Sequence, residues 1–318
     1  MLISFIIIGR NEGQKLTSCI RSVIETIKFN RLNNYEVIYV DSNSTDDSIE
    51  RAKIFEGTKI FKITGKYNAA IARNIGAKES SGDILFFIDG DMEIQRNFLP
   101  LIYNEEKGLL YDFVSGQFIN YNYDYKGRLL SKGENCKMET DAIEFTTGGL
   151  FIIKKDLWQK VSGMKNKLRT NEDIDLGIRL AGLGFFLIRK MELLAIHHTV
   201  SYHHNLRTWK MLLNGSQFYR SVLMRDNILN KYQWKLFFRE SYSSILLLAV
   251  AVFYFIIKLP MLLALYLIVI FIRVAKKNIS ILQKLNLFIF FIFRDISTWL
   301  ALFLFWPSNK IQLEYKRV

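Results

Sequence analysis

Continuous apolar runs alternate with amphipathic stretches through the first third of the chain. Residues 3–8 (Ile-Ser-Phe-Ile-Ile-Ile) form one such run, the pattern of a parallel strand covered on both faces, and Gly9-Arg10-Asn11-Glu12-Gly13 breaks it. The apolar spacing over 14–29 predicts an amphipathic helix. Tyr35 to Val40 predicts a second strand ending at Asp41, and the Ser/Asn/Thr/Asp loop after it suits the cap of a helix near 46–55. A third strand is expected at 60–63, a helix at 68–78, and a fourth strand from Ile84 into Asp89-Gly90-Asp91. This βαβα order, with acidic residues where strands stop, predicts a doubly wound α/β sheet with its ligand crevice on that edge.

Beyond residue 100 the pattern loosens. Phe113 to Tyr125 is aromatic and predicts antiparallel pairing; Gly148-Gly149 opens an apolar strand, Leu150 to Ile153; Asp156 to Val161 starts a helix. A basic loop, 163–171, leads into Asn171-Glu172-Asp173-Ile174-Asp175-Leu176, whose apolar spacing is helical. From Ser243 the composition shifts to Leu, Ile, Phe and Val in two stretches, 244–272 and 287–306, which predict membrane-embedded helices. Lys258 and Pro260 interrupt the first, so it is either one long kinked helix or a re-entrant hairpin. Arg294 and Asp295 sit inside the second, where an unpaired charge costs at least about 2.5–3.5 kcal/mol; they partner each other, or the segment lies partly in the interface. The expected organisation is a domain over 1–225, an amphipathic linker over 226–242, two to three membrane segments over 243–306, and a basic tail over 307–318.

The net charge of +13 then reads as affinity for anionic membrane lipids, since Lys235, Arg239, Arg273, Lys276, Lys277, Lys310, Lys316 and Arg317 flank apolar segments. No arginine-rich arm or zinc spacing points to nucleic acid. The run Leu2 to Ile8 is too short for a secretory signal, so the first domain is expected on the cytoplasmic side of a cell membrane. Cys19 and Cys136 have no metal spacing and predict no disulfide.

The chemistry gathers at strand ends. Alternate side chains of an extended backbone point the same way, so Asp89 and Asp91 are expected to face one hard cation, with Gly90 admitting close approach to the backbone.

Four motifs in order resemble the inverting glycosyltransferases of GT-A family 2, over residues 3–225. Ile6-Ile7-Ile8 with Asn11-Glu12 looks like the opening strand and nucleotide loop. Val40-Asp41-Ser42-Asn43-Ser44-Thr45-Asp46 is similar to the family's Val-Asp-Asp-Gly-Ser-Thr-Asp segment, with Ser42-Asn43 in place of Asp-Gly. Ala72-Arg73-Asn74-Ile75-Gly76 matches the helix before the D-x-D strand, and Glu172-Asp173 matches the acidic pair bearing the catalytic base.

The resemblance implies a GT-A, Rossmann-like domain with a doubly wound mixed sheet that uses a divalent cation, Mn2+ or Mg2+. It assigns Asp91 to the metal, Asp89 to ribose or metal, and Glu12 and Asp41 to the base and ribose of the nucleotide. Arg73 supports the diphosphate or forms a structural salt bridge. Gly148 and Gly149 let the backbone approach donor sugar or acceptor, and Asp173, ahead of Glu172, is the base. Of the four clustered histidines, the resemblance selects His203, then His204, to complete the metal site, because they precede Arg207-Thr208. Gln217-Phe218-Tyr219-Arg220-Ser221 partly matches the Gln-x-x-Arg-Trp motif of processive synthases, with serine replacing tryptophan; Arg220 then meets phosphate or headgroups.

The expected activity is transfer of one sugar from a nucleotide-sugar donor, with a UDP-sugar favoured, to a lipid-linked or growing glycan acceptor. Transfer to polyprenyl phosphate, and a silent membrane scaffold, stand as alternatives.

Overall fold

A computed structural model describes residues 1–124, 126–134, 138–200, 205–258 and 261–318. The chain forms two compact units, Met1–Ser201 with Ser308–Val318, and Tyr202–Pro307.

The first unit begins as the apolar periodicity dictates: β1 (Ile3–Gly9), α1 (Gln14–Phe29), β2 (Tyr35–Asp41), α2 (Ser48–Lys53), β3 (Thr58–Ile63), α3 (Ala69–Glu79) and β4 (Ile84–Asp89). There follow β5 (Met92–Ile94), the short pair β6 (Tyr103–Asn104) and β7 (Gly108–Leu109), β8 (Phe113–Tyr123), β9 (Leu129–Glu134), β10 (Ala142–Glu144) and β11 (Phe151–Lys154). Then come α4 (Lys155–Lys160), α5 (Glu172–Gly182) and β12 (Leu187–Val200). β1, β2, β3 and β4 are parallel; β11 joins β4 antiparallel, and β8 and β12 continue the sheet, so it is mixed. β8 runs antiparallel to β9 and β11 but parallel to β12, so the expectation of antiparallel pairing holds for two of its three neighbours.

The alternation of side chains along β1 divides the core into two layers. Phe5 and Ile7 pack with Leu16, Cys19, Ile20 and Val23 of α1 on one face. Ile6 and Ile8 pack with Ile71 and Ile75 of α3, and with Leu157, Trp158, Leu176 and Leu180 of α4 and α5, on the other. Helices on both faces explain why these strands read as unbroken apolar runs.

The second unit is helical: α6 (Asn205–Leu213), α7 (Tyr219–Asp226), α8 (Lys231–Ile257), α9 (Met261–Ala275) and α10 (Ile281–Leu304). The expected linker is largely taken up into α8, which kinks at Ser241, where φ is −123°. The first apolar stretch is two helices, since α8 stops at Lys258 in the left-handed region, φ 53°. Lys231–Tyr254 and Ile281–Leu304 are long and apolar enough to cross a membrane, and only 33% of each apolar window is buried in the protein. Val250, Tyr266, Ile270, Val274, Phe290 and Phe291 form its core.

The expected basic tail carries a strand. β13 (Tyr315–Arg317) pairs antiparallel with β3, covering an otherwise open sheet edge in the first unit.

Candidate active site

The loops after β1 and β2 are laced together at the carboxyl edge of the sheet. Asn11 adopts a left-handed conformation, φ 57°, which asparagine tolerates better than most residues. Its amide donates to Ser44 Oγ at 2.9 Å and its Oδ1 accepts from Thr45 N–H at 2.8 Å. The amides of Glu12 and Gly13 both donate to Ser48 Oγ at 3.1 Å. Asp41 is fully buried, and its two carboxylate oxygens accept from Tyr39 O–H at 3.0 Å and Ser44 N–H at 2.8 Å. Asp41 therefore organises the loop from beneath.

Arg73 is the centre of the next layer. It is 2% exposed, and one guanidinium ties three segments: Nη2 to Asp89 Oδ1 at 2.6 Å, Nη2 to the Gly149 carbonyl at 3.2 Å, and Nη1 to Glu172 Oε1 at 3.1 Å. The helix before the fourth strand, the end of that strand and the first turn of α5 thus converge on one cation. Burial opposes its charge, and Asp89, Glu172 and Asp173 more than offset this, so its pKa rises. A Cβ on Gly149 would lie 2.1 Å from Asp89 Oδ2, so glycine is required there by the ion pair itself. A Cβ on Gly148 meets nothing within 4 Å and points into open space.

The acidic pair enters α5 from Asn171, again left-handed at φ 64°. Burial, then repulsion from Asp173, pushes the Glu172 carboxyl up to about 7, against the pull of Arg73. Burial likewise raises Asp173, with Arg73 opposing. Asp173 Oδ1 accepts from Ile174 N–H at 2.8 Å. Glu172 is committed to Arg73, whereas Asp173 is half-buried and contacts no cation at ion-pair distance among the described residues.

The fourth strand stops at Asp89, and Asp91 follows in a turn rather than on the strand. The two carboxylates consequently have different partners: Asp89 has Arg73, while Asp91 Oδ2 lies 3.4 Å from Nε2 of His197. The turn is pinned by hydrogen bonds from Gly90 N to Ile8 O at 2.7 Å and from His198 N to Asp91 O at 2.9 Å. Glu12 is pushed up to about 7 by burial first and then by Asp91.

His197 is a residue the sequence reading passed over in favour of His203 and His204, which lie outside the described residues. It is buried on β12, opposite Met92 of β5 and Asn120 of β8. Asn120 Oδ1 sits 2.8 Å from His197 Nδ1; with that oxygen as acceptor, Nδ1 carries the proton and the lone pair of Nε2 faces Asp91. His198 is held instead by Glu93 and Tyr123, at 2.8 and 3.0 Å.

Asp91 and His197 offer an oxygen and a nitrogen donor of the kind manganese accepts, in a neighbourhood already rich in carboxylate. Among the described residues no group of three His, Cys, Asp or Glu converges on a metal position, so the remaining ligands would come from elsewhere. Arg220 belongs to the helical unit, bonded to Ser241 and Glu240. A groove of about 890 Å³ opens at the opposite, amino edge of the sheet around Glu36 and Lys59, away from these acids.

Comparisons with known proteins agree with this geometry. The pattern of Glycosyl transferase family 2 matches residues 4–168. Poly(ribitol-phosphate) beta-N-acetylglucosaminyltransferase TarP of Staphylococcus aureus is 33% identical over 162 residues, 47% of this chain and 48% of that protein. Cholesterol galactosyltransferase of Borreliella burgdorferi is 25% identical over 272 residues, 76% of this chain and 73% of that one. The chain spans about half the length of the first curated relatives it matches. The crystal structure of S. aureus TarS 1–349 in complex with UDP-GlcNAc shares the fold at TM-score 0.53 and 15% identity, covering 76% of this chain and 74% of that one. With the mixed sheet, the acid-ended strands and the Arg73 bridge in place, this chain belongs to glycosyltransferase family 2.

Proposed function

We propose that the chain moves one sugar, with inversion, from a nucleotide-diphosphate sugar to a hydroxyl of a lipid-linked or growing glycan acceptor at the cytoplasmic face of a membrane. The observation that carries this reading is the Arg73 bridge, which sets the donor-side carboxylate Asp89 and the base-bearing turn of α5 on one guanidinium. Relatives and neighbours whose names include N-acetylglucosaminyl transfer and UDP-GlcNAc favour a UDP donor. A relative named for transfer to cholesterol, and two helices long enough to span a bilayer, favour a lipid-borne acceptor.

In this reading Asp173 takes the proton of the acceptor hydroxyl while its oxygen bonds to the anomeric carbon, and the bond from that carbon to the diphosphate breaks on the opposite face. Glu172 and Arg73 are positioning residues, because both are spent on each other. Glu12 stands at the nucleotide end, with Asp41 acting through the loop it holds. Gly148 leaves room for donor or acceptor. Asp91 and His197, with His203 as a further candidate, would hold Mn2+ or Mg2+. A bound divalent cation would neutralise charge on the departing diphosphate.

A panel of UDP-, GDP- and dTDP-sugars, with and without manganese, tests the reading by thermal shift and donor hydrolysis. A manganese-dependent response to a UDP-sugar, lost in Asp91→Asn, is expected. Absence of any response to every donor overturns it. Full activity of Asp173→Asn on polyprenyl phosphate would assign the phosphate-acceptor alternative.

A further inference from the structure

The helical unit holds a second polar centre, in the middle of its apolar helices. Arg-Glu-Ser-Tyr-Ser-Ser, residues 239–244, interrupts α8 at its kink, and Ser241, Ser243 and Ser244 are all buried. Three arginines from three other helices reach this segment. Arg220 of α7 donates through Nε to Ser241 Oγ at 2.9 Å and through Nη2 to Glu240 at 3.3 Å. Arg273 of α9 donates to Ser243 Oγ at 3.2 Å and to the Glu240 carbonyl at 3.0 Å. Arg294 of α10 pairs with Asp295 at 2.7 Å and also donates to Ser243 Oγ at 3.2 Å.

The centre has too little negative charge. Asp295 is fully buried and taken up by Arg294, Ser244 and Tyr266, and Glu240 is shared between Arg220 and the exposed Arg239. Arg273 has no carboxylate at ion-pair distance among the described residues; its guanidinium lies between the rings of Tyr242 and Phe291, at 4.8 and 4.5 Å. The Arg220 guanidinium is pushed down to about 10, by burial first and then by Arg294. Desolvated arginines with spare forked donors match a phosphate, whose oxygens accept bidentate bonds. Arg220 and Arg273 are partly exposed, whereas Arg294 is buried.

We propose that Arg220, Arg273 and Arg294 form a binding site for the phosphate of a lipid, a polyprenyl phosphate or diphosphate whose chain lies along the apolar helices. The assignment concerns the helical unit alone and does not rest on the transfer reading.

The test uses the full chain in neutral phosphatidylcholine nanodiscs, measuring retention of radiolabelled polyprenyl phosphate and of uncharged polyprenol of the same length. Retention of the phosphate form should exceed that of the alcohol by roughly tenfold or more, the scale of a charge-assisted hydrogen-bond pair. Arg273→Gln and Arg220→Gln should each abolish most of that preference, and Arg273→Lys should restore part of it. Arg294 is left intact, because its removal would leave Asp295 buried and unpaired. Circular dichroism and the thermal unfolding midpoint of the unliganded protein serve as checks that the variants fold. Competition by phosphatidylglycerol equal to that by polyprenyl phosphate would assign the site to bulk headgroups. Displacement by millimolar inorganic phosphate alone would assign it to the free anion; both keep the phosphate chemistry. Equal retention of phosphate and alcohol, or unchanged preference in both glutamine variants, overturns the proposal.

Discussion

Arg73 and Arg294 are both buried guanidinium groups set on a carboxylate, yet their surroundings carry opposite excess charge. Around Arg73 stand Asp89, Glu172 and Asp173, with Glu12 and Asp91 one layer out. Around Arg294 stand Arg220 and Arg273, with Asp295 and Glu240 as the carboxylates. An acid-rich centre holds protons and welcomes cations; an arginine-rich one welcomes anions. The same ion pair thus serves two chemistries, and the sign of the surplus decides which.

The sharpest way to break this contrast is to remove the proposed base while sparing the framework. Asp173→Asn should lower kcat by roughly 10²–10⁴-fold on a hydroxyl acceptor, the range for loss of a general base, with the unfolding midpoint little changed. Arg73→Met should act on the framework instead. Deleting one partner of a buried pair costs about 3–5 kcal/mol, and here two carboxylates lose their partner, so denaturant unfolding should show a loss of at least that scale. A smaller intrusion tests the same ion pair. Gly149→Ala drives a methyl group into Asp89 and should destabilise by about 1–3 kcal/mol, whereas Gly148→Ala should leave the unfolding curve in place.

The acid-rich side also predicts a pH profile. Burial raises the Asp173 carboxyl above the ordinary aspartate range, and a base must be deprotonated, so kcat/KM should fall on the acid side and climb with pH over a range displaced upward from that of a free aspartate. The stability sign is the reverse for Glu172: a carboxyl raised by folding stabilises most below its unfolded value of 4.5, and that contribution is lost as pH rises through about 7. At the small end, Arg239→Gln touches the exposed rim of the arginine-rich centre, and its effect on stability should stay within about 0.5 kcal/mol.

The strands, the acid at the end of the fourth and the acidic first turn of α5 were legible because they are local. Period and punctuation reveal which residues form an element and where it stops. The partners were not, because they depend on register between distant segments. Arg73 and Glu172 are 99 residues apart, and nothing near either one announces the other. His197 illustrates the same limit: its approach to Asp91 depends on β12 lying beside β5. The alternation of β12, which puts His197 and His198 on opposite faces, was the available signal. The D-x-D reading assumed an extended backbone through Asp91, and the turn after Asp89 divides the two carboxylates instead.

Because Tyr315–Arg317 is stitched to β3, the polypeptide returns from its helical excursion to the unit it left. A chain that departs from and rejoins one folded body must do so on one side of any bilayer, so its traverses come in even number. Three complete passes by α8, α9 and α10 would strand the final segment on the far side and unzip it from the sheet. The 15 residues of α9, about 22 Å at 1.5 Å per residue, fall short of a hydrocarbon layer of about 30 Å, so of the three helices α9 is the least suited to a full pass.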